Sequence, residues 1–199
     1  MSSNRQDEIL DFWLGRIEET LIPTENRARI WFGEDEALDR LITEKFNHDL
    51  MLAESGQYSE WTTSPRGQLA LIIILDQFSR HIYRGSPKAF AYDQQALAIC
   101  LDGLNKNSDH KLSLIERVFY YFPLLHSEDI AMQELSVKSY RMLFELSLNE
   151  TRVIFDSFLK FAQHHLSVVR QFGRFPQRNQ VLRRHVTVEE QTFLNELQD

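Results

Sequence analysis

Cysteine occurs once, at Cys100, so the chain has no internal disulfide and must hold its fold by packing. Glycine and proline are scarce too, seven and five among 199 residues, too few for the many tight turns of an all-β fold. The longest unbroken apolar run is Leu69 to Leu75, far short of the roughly 20 residues that span a bilayer. The N-terminus opens Met1-Ser-Ser-Asn-Arg-Gln-Asp-Glu, with no apolar signal region. A glycine-rich phosphate loop, a Gly-x-Ser-x-Gly elbow and a His-Glu-x-x-His pair are all missing. Seven scattered histidines give no metal-ligand spacing, and Cys100 has no positioned base beside it in the sequence. These absences point to a cytoplasmic protein with no membrane span, no bound metal and no cofactor.

What is present fits one globular domain over residues 1–199. A chain of this length buries roughly 70% of its unfolded surface, and 43% hydrophobic with 26% charged residues is ordinary for a soluble protein. The net charge of −7 is unevenly spread. Residues 1–60 carry fourteen acids against six bases, whereas Ser157 to Val188 holds no acid but includes Lys160, Arg170, Arg174, Arg178, Arg183 and Arg184. That basic segment either packs against the acidic remainder or forms an anion site. Nucleic acid is disfavoured as a partner, because the acidic total repels a phosphate backbone and no reading motif accompanies the patch.

Helical spacing runs the length of the chain. Asp35 to Ala53 sets Leu38, Leu41 or Ile42, Phe46 and Leu50 on one face. Ser64-Pro65 and Ser86-Pro87 read as helix starts, serine capping a free amide and proline occupying the first helical position. The second is expected to open a helix with Phe90, Leu97, Leu101 and Leu104 on one side. Ser113 with Glu116 and Thr187 with Glu190 have capping-box spacing, and Ser127 precedes two acids suited to a helix N-terminus. From about Glu150, Ile154, Phe158, Phe161, His165, Val168 and Phe172 recur in steps of three and four until Gly173, a natural left-handed stop. The fold class is therefore all-α: seven or eight helices with short connections imply antiparallel neighbours, either a bundle or a stack of helical hairpins.

Three segments set polar groups beside apolar ones. In the first, Leu69–Leu75 is followed by Asp76, Gln77, Arg80, His81 and Arg84, and helical spacing aligns Asp76 and Arg80 with the apolar stripe. In the second, His126, Glu128 and Asp129 follow an apolar stretch broken by Pro123. The third, Phe172 to Asn179, leaves a helix carrying Arg174, Arg178 and Asn179 between aromatic residues. Buried ions are costly unless paired, so such clusters are either structural ion pairs or sites. Each has its plain alternative: Asp76 and Arg80 as a helical pair, Glu128 and Asp129 as first-turn acids, Arg174 as a helix cap, His165 as a satisfied core histidine.

These segments also carry a family resemblance. Ile9-Leu-Asp-Phe-Trp13, Trp31-Phe-Gly33, Thr63-Ser-Pro-Arg-Gly67, Leu75-Asp-Gln-Phe78, Pro123-Leu-Leu-His-Ser-Glu-Asp129, Phe172-Gly-Arg-Phe-Pro176, Arg178-Asn179 and Thr187-Val-Glu-Glu190 together resemble the bacterial domain of unknown function 924 family. The resemblance covers nearly the whole chain and implies an all-helical, tetratricopeptide-like array. It implies no activity. Ser79, His81, Gln177 and Arg183 depart from the family pattern, while Asp76, Gln77, Arg80, His126, Glu128, His165, Arg174, Arg178 and Asn179 match it.

Two function classes follow. The first is a pocket for a small anionic molecule, with His126 and Glu128 as acid–base residues and Asp76, Gln77, Arg80, Arg84, His165, Arg174, Arg178 and Asn179 around the ligand. The second is a module that holds a protein or peptide in a groove between helical hairpins. The pocket reading expects Asp76, Arg80, His126, Glu128, Arg174 and Arg178 to converge, with Arg174 and Arg178 forking onto the anion. Arg66, in the first turn of a helix where the dipole opposes it, is expected to pair with a carboxylate.

Overall fold

The structure, a computed structural model, describes residues 4–15, 17, 27–33 and 35–197; Met1 to Ser3, where the N-terminal reading begins, lie outside them. Among the described residues the chain is helical, with eight α-helices of seven residues or more. In order they are α1 (Arg5–Leu14), the short α2 (Ala28–Phe32), α3 (Glu36–Glu54), α4 (Pro65–Ile72), the short α5 (Ser79–Ile82), α6 (Asp93–Asn105), α7 (Leu114–Tyr120), the short α8 (Phe122–Leu125), α9 (Ile130–Leu146), α10 (Arg152–Phe172) and α11 (Val188–Glu196).

The centre of the molecule is α4 and its continuation. Ser64 Oγ accepts the Gly67 amide and Pro65 takes the first turn, so the helix starts where serine and proline predict. Every residue from Gly67 to Ser79 is buried. A helix apolar all round belongs inside a core, and α1, α3, α6 and α7 pack against α4 and the turn that follows it. Burial of each leucine or isoleucine there contributes about 1.5–3 kcal/mol. Between α4 and α5 the backbone widens into a π-helical turn, Ile73–Phe78, which contains Asp76. Such turns shift side chains off the ordinary helical stripe.

Neighbouring helices run antiparallel. Arg5 at the start of α1 bonds Asp49 near the end of α3 (2.5 and 2.9 Å). His81 at the end of α5 meets Asp39 at the start of α3 (2.8 Å). Arg170 near the end of α10 bonds Glu134 near the start of α9 (2.8 Å). Gly103 in α6 matters for close approach: a Cβ there would stand 1.6 Å from the Tyr120 hydroxyl, which donates to Gln68 Oε1 at 2.7 Å.

Both capping boxes form as read, at Ser113/Glu116 and Thr187/Glu190, and Gly173 closes α10 in the left-handed conformation (φ 69°). Arg66 pairs with Glu116 (2.6 Å) and Asp7 (3.2 Å), the carboxylate partnership its position demanded. Two boundaries and one helix face differ from the sequence reading. Ser86 caps only a 3₁₀ turn, Pro87–Phe90, and α6 begins later at Asp93. The N-cap of α9 is Asp129, not Ser127, because its carboxylate reaches the Met132 amide. The core face of α10 is Phe155, Phe158, Leu159, Ala162, Leu166, Val168 and Val169, which leaves Phe161 39% exposed.

Candidate functional site

Asp76 is fully buried on the π-helical turn, beneath the end of α8. Its carboxylate accepts the Nδ1 hydrogen of His126 at 2.7 and 2.9 Å, a bond from Arg80 Nη2 at 3.2 Å, and the side-chain amide of Gln77. Burial alone would raise the Asp76 carboxyl, but His126 and Arg80 beside it hold it below the usual carboxylate range. His126 is pushed the other way from its ordinary 6.5. Burial, then the Arg80 charge, outweigh Asp76 and bring the imidazole down to about 4. At neutral pH the pair is a carboxylate and a neutral imidazole whose Nδ1 hydrogen is donated. His126 Nε2 has no protein hydrogen bond and is not buried.

The backbone carrying His126 is tied down from two sides. Gln133 of α9, fully buried, donates its amide to Leu125 O and Ser127 O, both at 2.6 Å. Arg178 Nη2 donates to the His126 carbonyl at 2.9 Å. Arg178 Nη1 also reaches Asp93 at 3.2 Å, and Arg80 bonds the other oxygen of Asp93 at 2.9 Å. Both guanidiniums lie over the Phe90 ring, at 5.1 Å for Arg80 and 4.7 Å for Arg178. Burial raises the Asp93 carboxyl and lowers Arg178 to about 10, which leaves Arg178 a cation at neutral pH.

Of these groups, Phe90, Asp93, His126 and Arg178 line a cleft of about 360 Å³. Phe90, Leu97, Pro123 and Leu182 form its apolar wall, and Asp93, His126, Glu128, Arg178 and Arg184 its polar one. Arg184 grips both oxygens of Glu128 at 2.8 Å, and Glu128 also accepts the Phe175 amide at 2.8 Å. Although burial opposes ionisation, Arg184 keeps Glu128 below the usual carboxylate range.

Of the six residues expected to converge, His126, Glu128 and Arg178 line this cleft, whereas Asp76 and Arg80 lie behind it, bonded to His126 and Asp93. Other candidates fall outside it. Arg174 turns to Glu190 (2.7 and 2.9 Å) and the His185 carbonyl, a bridge between the end of α10 and the capping box of α11. That bridge holds Glu190 down at about 2. Asn179 is buried next to Glu190 and does not line the cleft. His165 is half-buried on α10, bonded to the Phe161 carbonyl and set against Phe175, so the core position expected for it becomes an edge position. Arg84 grips Asp39 beside His81 and does not line the cleft. Glu128 lines the cleft, but the carboxylate that orients His126 is Asp76. Asp93, Phe90, Arg184 and Gln133 were not singled out as site residues by their sequence context. Asp93 stands thirteen residues from Arg80 and eighty-five from Arg178, and only the fold brings the three together.

Among the described residues no group of histidine, cysteine and carboxylate side chains has the arrangement of a metal site, and no helix is long and apolar enough to cross a membrane. The chain matches the family described as "Bacterial protein of unknown function (DUF924)" over residues 9–198. It is similar to the solved structure of a protein of unknown function from Agrobacterium tumefaciens, with 30% identity and a TM-score of 0.78 over 96% of this chain and 97% of that one. No curated protein matches it. With the family's description matching nearly end to end and that similarity spanning both chains, the protein belongs to the bacterial DUF924 family.

Proposed function

We propose that the cleft binds a small molecule and that His126 is its acid–base group. One observation carries this reading: a fully buried carboxylate fixes His126 through Nδ1 while Nε2, unpartnered, faces a concavity. An imidazole held in that tautomer is neutral at physiological pH and can accept a proton from a bound ligand. Asp76, Gln77 and Arg80 serve as positioning residues, and Arg178 and Glu128 shape the polar wall. A cleft of this size suits a small metabolite. The single buried cysteine is in keeping with a cytoplasmic location, and the antiparallel pairs suit a tetratricopeptide-like array.

The alternative, an interaction module, draws support from Leu146, Leu148 and Val153, all exposed around the α9–α10 connection. They sit at a turn rather than along a groove, so the cleft is the better-supported site.

A thermal-shift screen of small metabolites against the wild type and His126→Gln tests the proposal. A ligand of the native state at about 100 times its Kd stabilises by about 2.7 kcal/mol. The expected result is a hit on the wild type that the variant loses. No hit, or one equally strong in the variant, contradicts the assignment.

A further inference from the structure

The charges around the cleft close on themselves. Asp76 takes Arg80; Asp93 takes Arg80 and Arg178; Glu128 takes Arg184 through two bonds. Three carboxylates face three guanidiniums, so no cation is left over for an anion to claim. Arg174, expected to supply one, is held by Glu190. A ligand that brought a lone negative charge into this cleft would meet no uncompensated partner there, and burying such a charge is costly. Among the described residues lining the cleft, His126 Nε2 is a ring nitrogen without a protein hydrogen bond, and the exposed Gln94 amide also lacks one.

We infer that the cleft takes a small carboxylic acid together with one proton, the proton resting on His126 Nε2. This deepens the reading of His126 given above and rests on it. The balance is simple. The acid's O–H bond breaks, its electron pair stays on the ligand oxygen, and the proton bonds to Nε2. An imidazolium then stands between the Asp76 carboxylate and the ligand carboxylate, and the net charge of the cleft is the same as when it is empty. Burial and Arg80 from α5 oppose protonation of the empty site, and Asp76 and Asp93 favour it; Arg178, in the turn Pro176–Arg178, and the ion pair of Glu128 with Arg184 are the other charges on the cleft. The incoming carboxylate adds the attraction that tips the balance. Phe90, Leu97, Pro123 and Leu182 give an apolar body a wall to lie on, so acids with a hydrocarbon part fit better than acetate.

Calorimetric titration of the full chain with acetate, benzoate and phenylacetate, at pH 6, 7 and 8 and in buffers of differing ionisation enthalpy, tests this. These acids are ionised throughout that range, since a carboxyl titrates near about 4. Each bound ligand should therefore draw about one proton from solution, and affinity should fall about tenfold per pH unit. Benzamide, which has no acidic proton, should bind with no proton uptake and no pH dependence. In His126→Gln, whose amide can still donate to Asp76, the proton uptake of benzoate should vanish while the circular dichroism stays unchanged. Benzoate binding that is flat with pH, benzoate binding without proton uptake, or failure of all three acids to bind would each overturn the inference. If benzamide binds and shifts the His126 resonances while the acids do not, the site stands and the acid assignment falls. If none of the probes perturbs His126, the site assignment falls with it.

Discussion

Asp76 and His81, close together on the continuation of α4, each belong to a histidine–aspartate pair, and the two pairs are built in opposite order. At the cleft, Asp76 is wholly buried and its partner His126 is 14% exposed; at the α3–α5 corner, His81 is 7% exposed and its partner Asp39 16%. In the first pair the acid is the foundation and the imidazole is the tip. In the second the imidazole lies against Trp13, and Asp39 turns outward to Arg84 at 2.5 and 2.8 Å. Arg84 also sits 3.1 Å from His81 Nδ1, so that ring atom is shared between two neighbours. The same residue types therefore yield a cleft-lining histidine in one place and a helix clip in the other. Depth, not composition, separates them.

Removing the acid from each pair gives the largest contrast. Asp76→Ala leaves Arg80 and His126 around an emptied buried position and should cost about 3–5 kcal/mol, whereas Asp39→Ala should cost about 1 kcal/mol. Urea unfolding midpoints measure both; equal losses would erase the distinction.

Acid comes next. Burial lowers both His126 and His81, so below the ordinary value of 6.5 the unfolded chain binds protons that the folded chain refuses. Stability should then fall as pH drops below 6.5, down to about 4 for His126, by at most about 1.4 kcal/mol per pH unit for each such histidine. His126→Gln should flatten its own share of that slope and leave the share of His81, which unfolding curves taken between pH 7 and 4.5 would resolve.

Gln133→Leu should cost about 1–3 kcal/mol, because the buried Leu125 carbonyl and the half-buried Ser127 carbonyl beside His126 lose their donor. Its value lies in a second readout: the His126 resonances should move while those of His81 stay in place. Arg174→Ala should give the smallest effect, a melting-temperature loss below that of Asp76→Ala with no change in the His126 resonances. A loss of ligand binding in that variant would return Arg174 to the cleft.

Much of the fold was legible because its signals are local. Ser113 with Glu116 and Thr187 with Glu190 form their boxes from atoms three residues apart, and Gly173 ends α10 by its own backbone freedom. The π-helical turn had no such signature. It begins inside the apolar run, at Ile73 to Leu75, where periodicity cannot show a change of pitch, and the polar Asp76 and Gln77 that follow are too few to reveal it. The site was half legible for a related reason. Asp76, Arg80 and His126 stand out as polar groups beside core, but pairing across the fold is not written in spacing. Arg174 and Arg178 look alike in the sequence, four residues apart in one acid-free segment. Glu190 captures the first and Asp93 the second, and both choices belong to tertiary structure.

The central claim is that Asp76 holds His126 neutral, protonated on Nδ1, with Nε2 free towards the cleft. Long-range ¹H–¹⁵N correlation spectra of the histidine rings, followed from pH 8 to 5, test it directly. The predicted result is a protonated Nδ1 and a bare Nε2 for His126 across that range, lost in Asp76→Asn. A His126 ring that carries its hydrogen on Nε2 at pH 7, or is already an imidazolium there, would contradict the account.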